Sequence, residues 1–154
     1  MNRSDAALVH ALQLDSSLSI AELAERIGLS SSACHRRIRS LIDAGIIVGY
    51  QARVDRKRLG LNVESFVEIS LHSQSRAAME SFEEAVTAFD DILECHLMSG
   101  AADYLLRVAA ADLEDFDRIH RNCLSRLPGV SSMRTSFAIR RIKAMGPYRA
   151  ATAS

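Results

Sequence analysis

Between Ser19 and Gly45 the sequence spells two short helices separated by hardly any chain, and few folds accept that arrangement. Ser19 and Glu22 stand three residues apart, the spacing at which a serine hydroxyl and a glutamate side chain cap one helix start reciprocally. Ile20, Leu23, Ala24 and Ile27 then follow i, i+3, i+4, i+7, one apolar stripe. Gly28 supplies a left-handed stop. Leu29 and Ser30 are the whole link, and Ser30 suits the N-cap of the next helix. That helix runs from Ser31 to Ala44 and ends at Gly45, with Cys34, Ile38, Leu41 and Ile42 on its expected buried side. An earlier helix is expected from about Asp5 to Gln13, with Leu8, Val9 and Leu12 on one face.

Two short helices joined by a tight Gly-containing turn are the helix-turn-helix pattern, whose second helix enters the DNA major groove. The side of that helix facing away from its apolar stripe carries Ser32, His35, Arg36, Arg39 and Asp43, so its single acid lies at the far end. Arg36 and Arg39 can each offer guanine O6 and N7 two parallel hydrogen bonds, while His35 and Ser32 are smaller polar readers. Ser31 and the free N–H groups of the first turn can hold a phosphate. Arg37 joins them as a DNA-contacting candidate. The plain alternative is an αα-hairpin in an all-helical core.

Charge supports a polyanion partner locally and not globally. The 154 residues hold 19 Lys+Arg and 19 Asp+Glu. Residues 1–60 carry nine basic and six acidic groups; the remainder carry ten and thirteen. Within 30–60, seven basic side chains face only Asp43 and Asp55, although a run such as Arg56-Lys57-Arg58 is also what a solvated turn looks like. With 48% hydrophobic and 25% charged residues the composition is that of a globular protein. No apolar run is long enough to span a bilayer and the N-terminus opens no signal-peptide core, so a soluble, cytoplasmic protein without membrane contact is expected. Cys34, Cys95 and Cys123 are widely spaced and form no C-x-x-C pair, which supports neither a disulfide framework nor a zinc module, and no cofactor is expected.

After Gly45, Ile46–Val54 reads as a strand, followed by a charged turn over Asp55–Gly60. From Val63 strands and helices alternate. Val63, Val67, Ile69 and Leu71 interleave with polar residues; a helix follows from about Arg76 to Phe89; Ile92–Ser99 and Tyr104–Ala109 are strands around a turn at Gly100–Asp103. Asp112 caps a second helix with Leu113, Phe116, His120, Cys123, Leu124 and Leu127 along one side. A last strand takes Met133, Thr135, Phe137 and Ile139 in alternation with Arg134, Ser136 and Arg140.

The order is βαββαβ, the ferredoxin-like split, which makes the chain an α+β protein: a winged-type helix-turn-helix head with linking strand over 1–60, and a ferredoxin-like antiparallel domain over 61–154. Two helices cover one face of a four-stranded sheet, so a second copy of the chain is the expected cover of the other, giving a homodimer. An RNA-recognition module shares this order, but its third strand should be rich in aromatic residues, and Tyr104-Leu-Leu-Arg-Val108 has one. Against an enzyme, there is no Gly-rich phosphate loop, no G-x-S-x-G and no H-E-x-x-H, and Cys95 and His96 point to opposite faces of a strand. A metal- or thiol-responsive regulator is the other alternative, with five His and three Cys scattered at no ligand spacing.

These features, together with the strings Leu23-Ala-Glu-Arg-Ile-Gly-Leu-Ser30, Arg36-Arg-Ile-Arg-Ser-Leu-Ile-Asp-Ala-Gly-Ile-Ile-Val-Gly-Tyr50, Glu94-Cys-His-Leu-Met-Ser-Gly-Ala-Ala-Asp-Tyr104 and Leu127-Pro-Gly-Val130, resemble the Lrp/AsnC (feast/famine) transcription regulators. The likeness runs from about Asp5 to Lys143. It implies a DNA-binding head on an effector-binding domain, double-stranded DNA with a pseudo-palindromic operator as partner, dimers that assemble further into octamers, and a response to amino acids. It also implies that the helix from Ser31 reads DNA and that the Gly100–Tyr104 turn belongs to the effector site.

The residues at that turn suit a free amino acid. Asp103 can accept from its ammonium, Ser99 and the N–H groups near Gly100 can donate to its carboxylate, and Met98 or Tyr104 can wall its side chain, with a further hydroxyl from Thr135. An ordinary β-hairpin, with Gly100 at positive φ and Asp103 bonded locally, is the competing reading. The family's usual threonine before the glycine is Ser99 here. Ala101 and Ala102 are small where other members can carry larger or polar residues, which leaves the effector's identity open.

Overall fold

The computed structural model describes residues 1–150. They form two compact units, Met1–Arg53 with the segment from Ile142 onward, and Val54–Arg141.

The first unit opens with α1 (Arg3–Leu14), whose first turn is capped by Asn2 accepting from the Asp5 N–H at 2.9 Å. In α2 (Ile20–Ile27) both halves of the expected capping box are made: the Glu22 N–H donates to Ser19 Oγ at 3.3 Å, and the Ser19 N–H to Glu22 Oε2 at 2.7 Å. The helix closes at Gly28, φ 71° and ψ 39°, where the Gly28 N–H bonds back to Glu25 O and the Leu29 N–H to Ala24 O. That pair of bonds satisfies carbonyls the helix end leaves free and requires the left-handed conformation that glycine adopts without a Cβ penalty. Then comes α3 (Ser31–Asp43), with Ser30 as its cap. Leu8, Leu23, Ala24, Cys34, Ile38 and Leu41 form one core among the three helices. Ile42, expected in that core, is 40% exposed because the seam runs through Cys34, Ile38 and Leu41, one position to its side.

Residues 46–54 join no strand ladder, and the Ile46 and Ile47 N–H groups bond back to Leu41 O at the end of α3. The apolar pattern there is strand-like, but a strand needs a neighbour for its N–H and C=O groups. No described segment of the chain provides one, and Val48, Tyr50 and Val54 stand exposed.

The second unit is built from β1 (Val63–Leu71), α4 (Arg76–Thr87), β2 (Ile92–Leu97), β3 (Tyr104–Ala110), α5 (Leu113–Asn122), a 3-10 turn over Leu124–Arg126 and β4 (Val130–Phe137). The sheet order is β2-β3-β1-β4 with all three pairings antiparallel, as the βαββαβ order predicts. Val67, Ile69, Tyr104, Leu106 and Val108 share one face and are buried with Phe82 and Val86 of α4 and Ile119 of α5. The opposite face carries Phe66, Glu68, Leu105, Arg107 and Arg134, and no described element covers it.

The extent of the last strand and the inward stripe of α5 both differ from expectation. The last strand begins at Val130 and ends at Phe137, since its partner β1 starts at Val63 and the final rung is the Ala138 N–H to Glu64 O; Ile139 beyond it is fully exposed. In α5 the inward stripe is Phe116, Ile119, Cys123 and Leu124, so Leu113 and His120 face solvent. Both stripes have helical spacing, and the one that buries Ile119 instead of an imidazole removes more apolar surface from water.

Candidate nucleic-acid interface and effector turn

The seam that buries Cys34, Ile38 and Leu41 fixes which side of α3 faces outward. Ser31, Ser32, His35, Arg36 and Arg39 are all exposed there, with Asp43 at the end. Ser32 Oγ lies 3.2 Å from the capping Ser30 Oγ, so the first turn presents two hydroxyls beside its free N–H groups. Arg39 is held loosely by Asp43, 3.4 Å away with both side chains well exposed, a pair that water screens and DNA can displace. Among the described residues, His35 and Arg36 have no side-chain partner. Arg37 departs from the group. Its guanidinium donates to Asp5 Oδ1 at 2.8 Å, both groups are partly buried, and the bond ties α3 to α1. Its position, one residue from Arg36, turns it about 100° toward the first helix.

At the other candidate site, Met98, Ser99, Gly100 and Asp103 lie together between β2 and β3. Met98, Ser99 and Gly100 are exposed. Asp103 is heavily engaged: one carboxylate oxygen accepts from the Leu71 N–H and the other from Gln74 Nε2, each at 2.7 Å, while its own N–H donates to Ile69 O. The side chain therefore stitches the end of β1 to the turn. Tyr104 roots the turn in the core at 1% exposure, its ring 4.5 Å from that of Phe82 and its hydroxyl donating to Glu83 at 2.7 Å. Burial, followed by the Glu83 carboxylate, drives the phenol far above its usual range, so it stays a neutral donor. Thr135 is not in this group. It sits on β4 opposite Val67, half-buried toward the helices, with β1 between it and the β3 turn. Gly100 has an ordinary backbone, and a Cβ built there would meet nothing within 4 Å. Neither turn geometry nor packing within the chain accounts for glycine at this position.

One cluster escaped the sequence reading. Glu64, one of the polar residues that interleave with the apolar positions of β1, is 3% exposed and surrounded by arginines. Arg107 Nε lies 2.9 Å from its carboxylate, Arg141 Nη2 2.7 Å and Arg56 Nε 3.5 Å, and Arg107 also bonds Glu94. Burial pushes the Glu64 carboxyl up, but the hydrogen bonds and charges of Arg141 and Arg107 outweigh it and hold the group below the usual glutamate value. Arg56 is thus committed to Glu64 and absent from the free basic run, leaving Lys57 and Arg58. Only the chain's return past β4 brings Arg141 to Glu64, which no local pattern announces.

The thiols are poorly placed as sensors. Cys34 and Cys123 are buried, and desolvation pushes Cys123 up to about 11 and raises Cys34 and Cys95. Among the described residues no three His, Cys, Asp or Glu side chains converge to hold a metal, and no helix is long and apolar enough to cross a membrane.

Comparison with known proteins matches both units. Residues 64–148 fit the family model described as the Lrp/AsnC ligand binding domain, and residues 1–48 the one described as winged helix-turn-helix DNA-binding. The chain is 33% identical over 146 residues to the proline dehydrogenase transcriptional activator of Rhizobium radiobacter, across 95% of this chain and 94% of that one. It is 36% identical over 143 residues to the leucine-responsive regulatory protein of Escherichia coli K12, across 93% and 87% of the two chains. The crystal structure of a Neisseria meningitidis transcriptional regulator in complex with L-Met is similar to it with a TM-score of 0.89 and 30% identity, over 96% of each chain.

Proposed function

Since the chain belongs to the Lrp/AsnC family of DNA-binding transcription regulators, we propose that it acts as a homodimer whose two α3 helices read a roughly palindromic operator, and that an amino acid tunes this binding. The outward face of α3 carries the reading, since it exposes Arg36 and an Arg39 held only loosely by Asp43 while the other side of the helix is locked in the core. Arg36 and Arg39 contact guanine edges, His35 and Ser32 read neighbouring positions, and Ser31 with the helix N-terminus grips a phosphate. The half-sites lie about 34–36 Å apart or at a multiple of that spacing. Arg37 serves the interface by holding α3 against α1.

Residues 1–60 make up the DNA-binding portion and 61–154 the effector-binding and oligomerisation portion. A second copy covers the bare sheet face and pairs with the unladdered 46–54 segment, and dimers gather further into octamers. The effector sits against Met98, Ser99 and Gly100, with Asp103 and Tyr104 holding the turn in shape and Thr135 reached only through rearrangement or another subunit. The L-Met complex of the Neisseria regulator and the name of the leucine-responsive relative point to an amino acid as the class of ligand. The ligand shifts assembly or operator affinity only by its preference between states, typically ~1–3 kcal/mol.

Thermal-shift screening against the twenty amino acids, followed by gel shifts with and without the hit, tests the reading, since a ligand specific to the folded state raises stability. A stabilising amino acid that also changes duplex affinity is the expected result. A protein that shifts no duplex at low salt overturns it.

A further inference from the structure

The chain passes between its two units twice. The first passage is the stretch of chain around Arg53 and Val54; the second is the segment after β4, which rejoins the helical unit from Ile142 onward. Both ends of this second passage are fastened. At its start, Arg141 Nη2 is 2.7 Å from the buried Glu64 carboxylate within the sheet unit. At its far end, Gln13 of α1 uses both ends of its amide on one residue: Nε2 donates to Tyr148 O at 3.0 Å, and Oε1 accepts from the Tyr148 N–H at 2.7 Å. That is the pattern by which one strand residue holds another, supplied here by a side chain. Pro147 restricts the backbone immediately before the anchor. Tyr148 borders a cavity of about 800 Å³ within the helical unit, shared with Val9, Gln13, Ile47 and Tyr50.

We propose that residues 142–150 form a strap, a second tether that restricts how freely the DNA-binding head moves on the linking stretch around Arg53 and Val54. Fully stretched, the chain from Arg141 to Tyr148 spans no more than about 25 Å, so a fastened strap narrows the positions open to the head. In a dimer it raises the effective concentration of the second head at the second half-site once the first has bound. The DNA consequence rests on the dimeric reading above; the anchor itself does not.

The test uses the full chain, Gln13→Ala, Gln13→Glu and a chain ending at Arg141. Limited trypsinolysis without DNA reads the anchor. Cleavage after Lys143 and Arg149 is expected to be several-fold faster in Q13A, with Q13E between because it keeps only the acceptor for the Tyr148 N–H. Circular dichroism melting confirms that the variants remain folded. Affinity is then measured on a duplex selected from a random pool by the unaltered protein, and on the same duplex cut to one half-site. Q13A and the shortened chain are expected to lose about tenfold on two half-sites and to match the unaltered protein on one. Cleavage at the unaltered rate in Q13A overturns the strap. So does faster cleavage with unchanged affinity for two half-sites. If the unaltered protein selects no duplex, the regulator reading falls instead, and the DNA-free cleavage rates keep that failure distinct.

Discussion

At the scale of single residues, neighbouring arginines of one helix do different work. Arg36→Ala and Arg39→Ala are each expected to cost ~1–3 kcal/mol at the cognate duplex and much less elsewhere, measured by gel shift against base-substituted sites. Arg37→Ala is expected instead to lower the melting temperature, by about 1 kcal/mol of stability, and to weaken all duplexes alike. A base-dependent loss would return Arg37 to the reading face. Asp103 and Ser99 separate in the same way. Asp103→Ala strands the partly buried Leu71 N–H and is expected to destabilise the fold by about 1–3 kcal/mol, so a lost response in that variant says little about ligand contact. Ser99→Ala, at an exposed hydroxyl, is expected to keep the melting temperature and reduce the amino-acid-induced shift; an undiminished shift removes Ser99 from the site. The sequence made all of these residues visible as candidates. It could not separate free groups from committed ones, because the partners Asp5, Leu71 and Gln74 lie about 30 residues away.

Secondary-structure elements were legible where their signals are local. The Ser19–Glu22 box, the Gly28 stop and the Ser30 cap each depend on residues within one turn, and each is made as read. Gly28→Ala keeps open space around the new methyl but forces a left-handed backbone, so about 1–2 kcal/mol of stability should be lost in denaturant titration. A neutral result would mean that the turn relaxes by another route. Where a partner decides, the pattern misled. Residues 46–54 carry the alternation of a strand and have no ladder neighbour among the described residues; β4 stops where β1 runs out; α5 had two stripes of equal spacing and the more apolar one won.

At the scale of the whole molecule, Glu64 contributes to acid sensitivity. Its carboxyl titrates below the usual glutamate value near 4.5 in the folded chain, so its stabilising effect is fully present above that pH and is lost as pH falls through the lower folded value. Melting temperature is expected to drop on acidification from about pH 5 toward pH 3. Glu64→Gln should be less stable at neutral pH and show a shallower acid decline; parallel profiles would remove Glu64 as a contributor. The topology was legible because strand and helix order leaves few ways to pack four strands and two helices. The arginine cage around Glu64 was not, since Arg56, Arg107 and Arg141 meet only after the sheet has formed.

A head assembled from the first and last stretches of the chain is also made first and last. On the ribosome, Gln13 is joined to the growing chain 135 residues ahead of its partner Tyr148, a wait on the order of ten seconds at ordinary elongation rates. A nascent polypeptide therefore displays its three N-terminal helices well before translation supplies the clasp, and a product of premature termination keeps the arginine-bearing surface but never receives that closure.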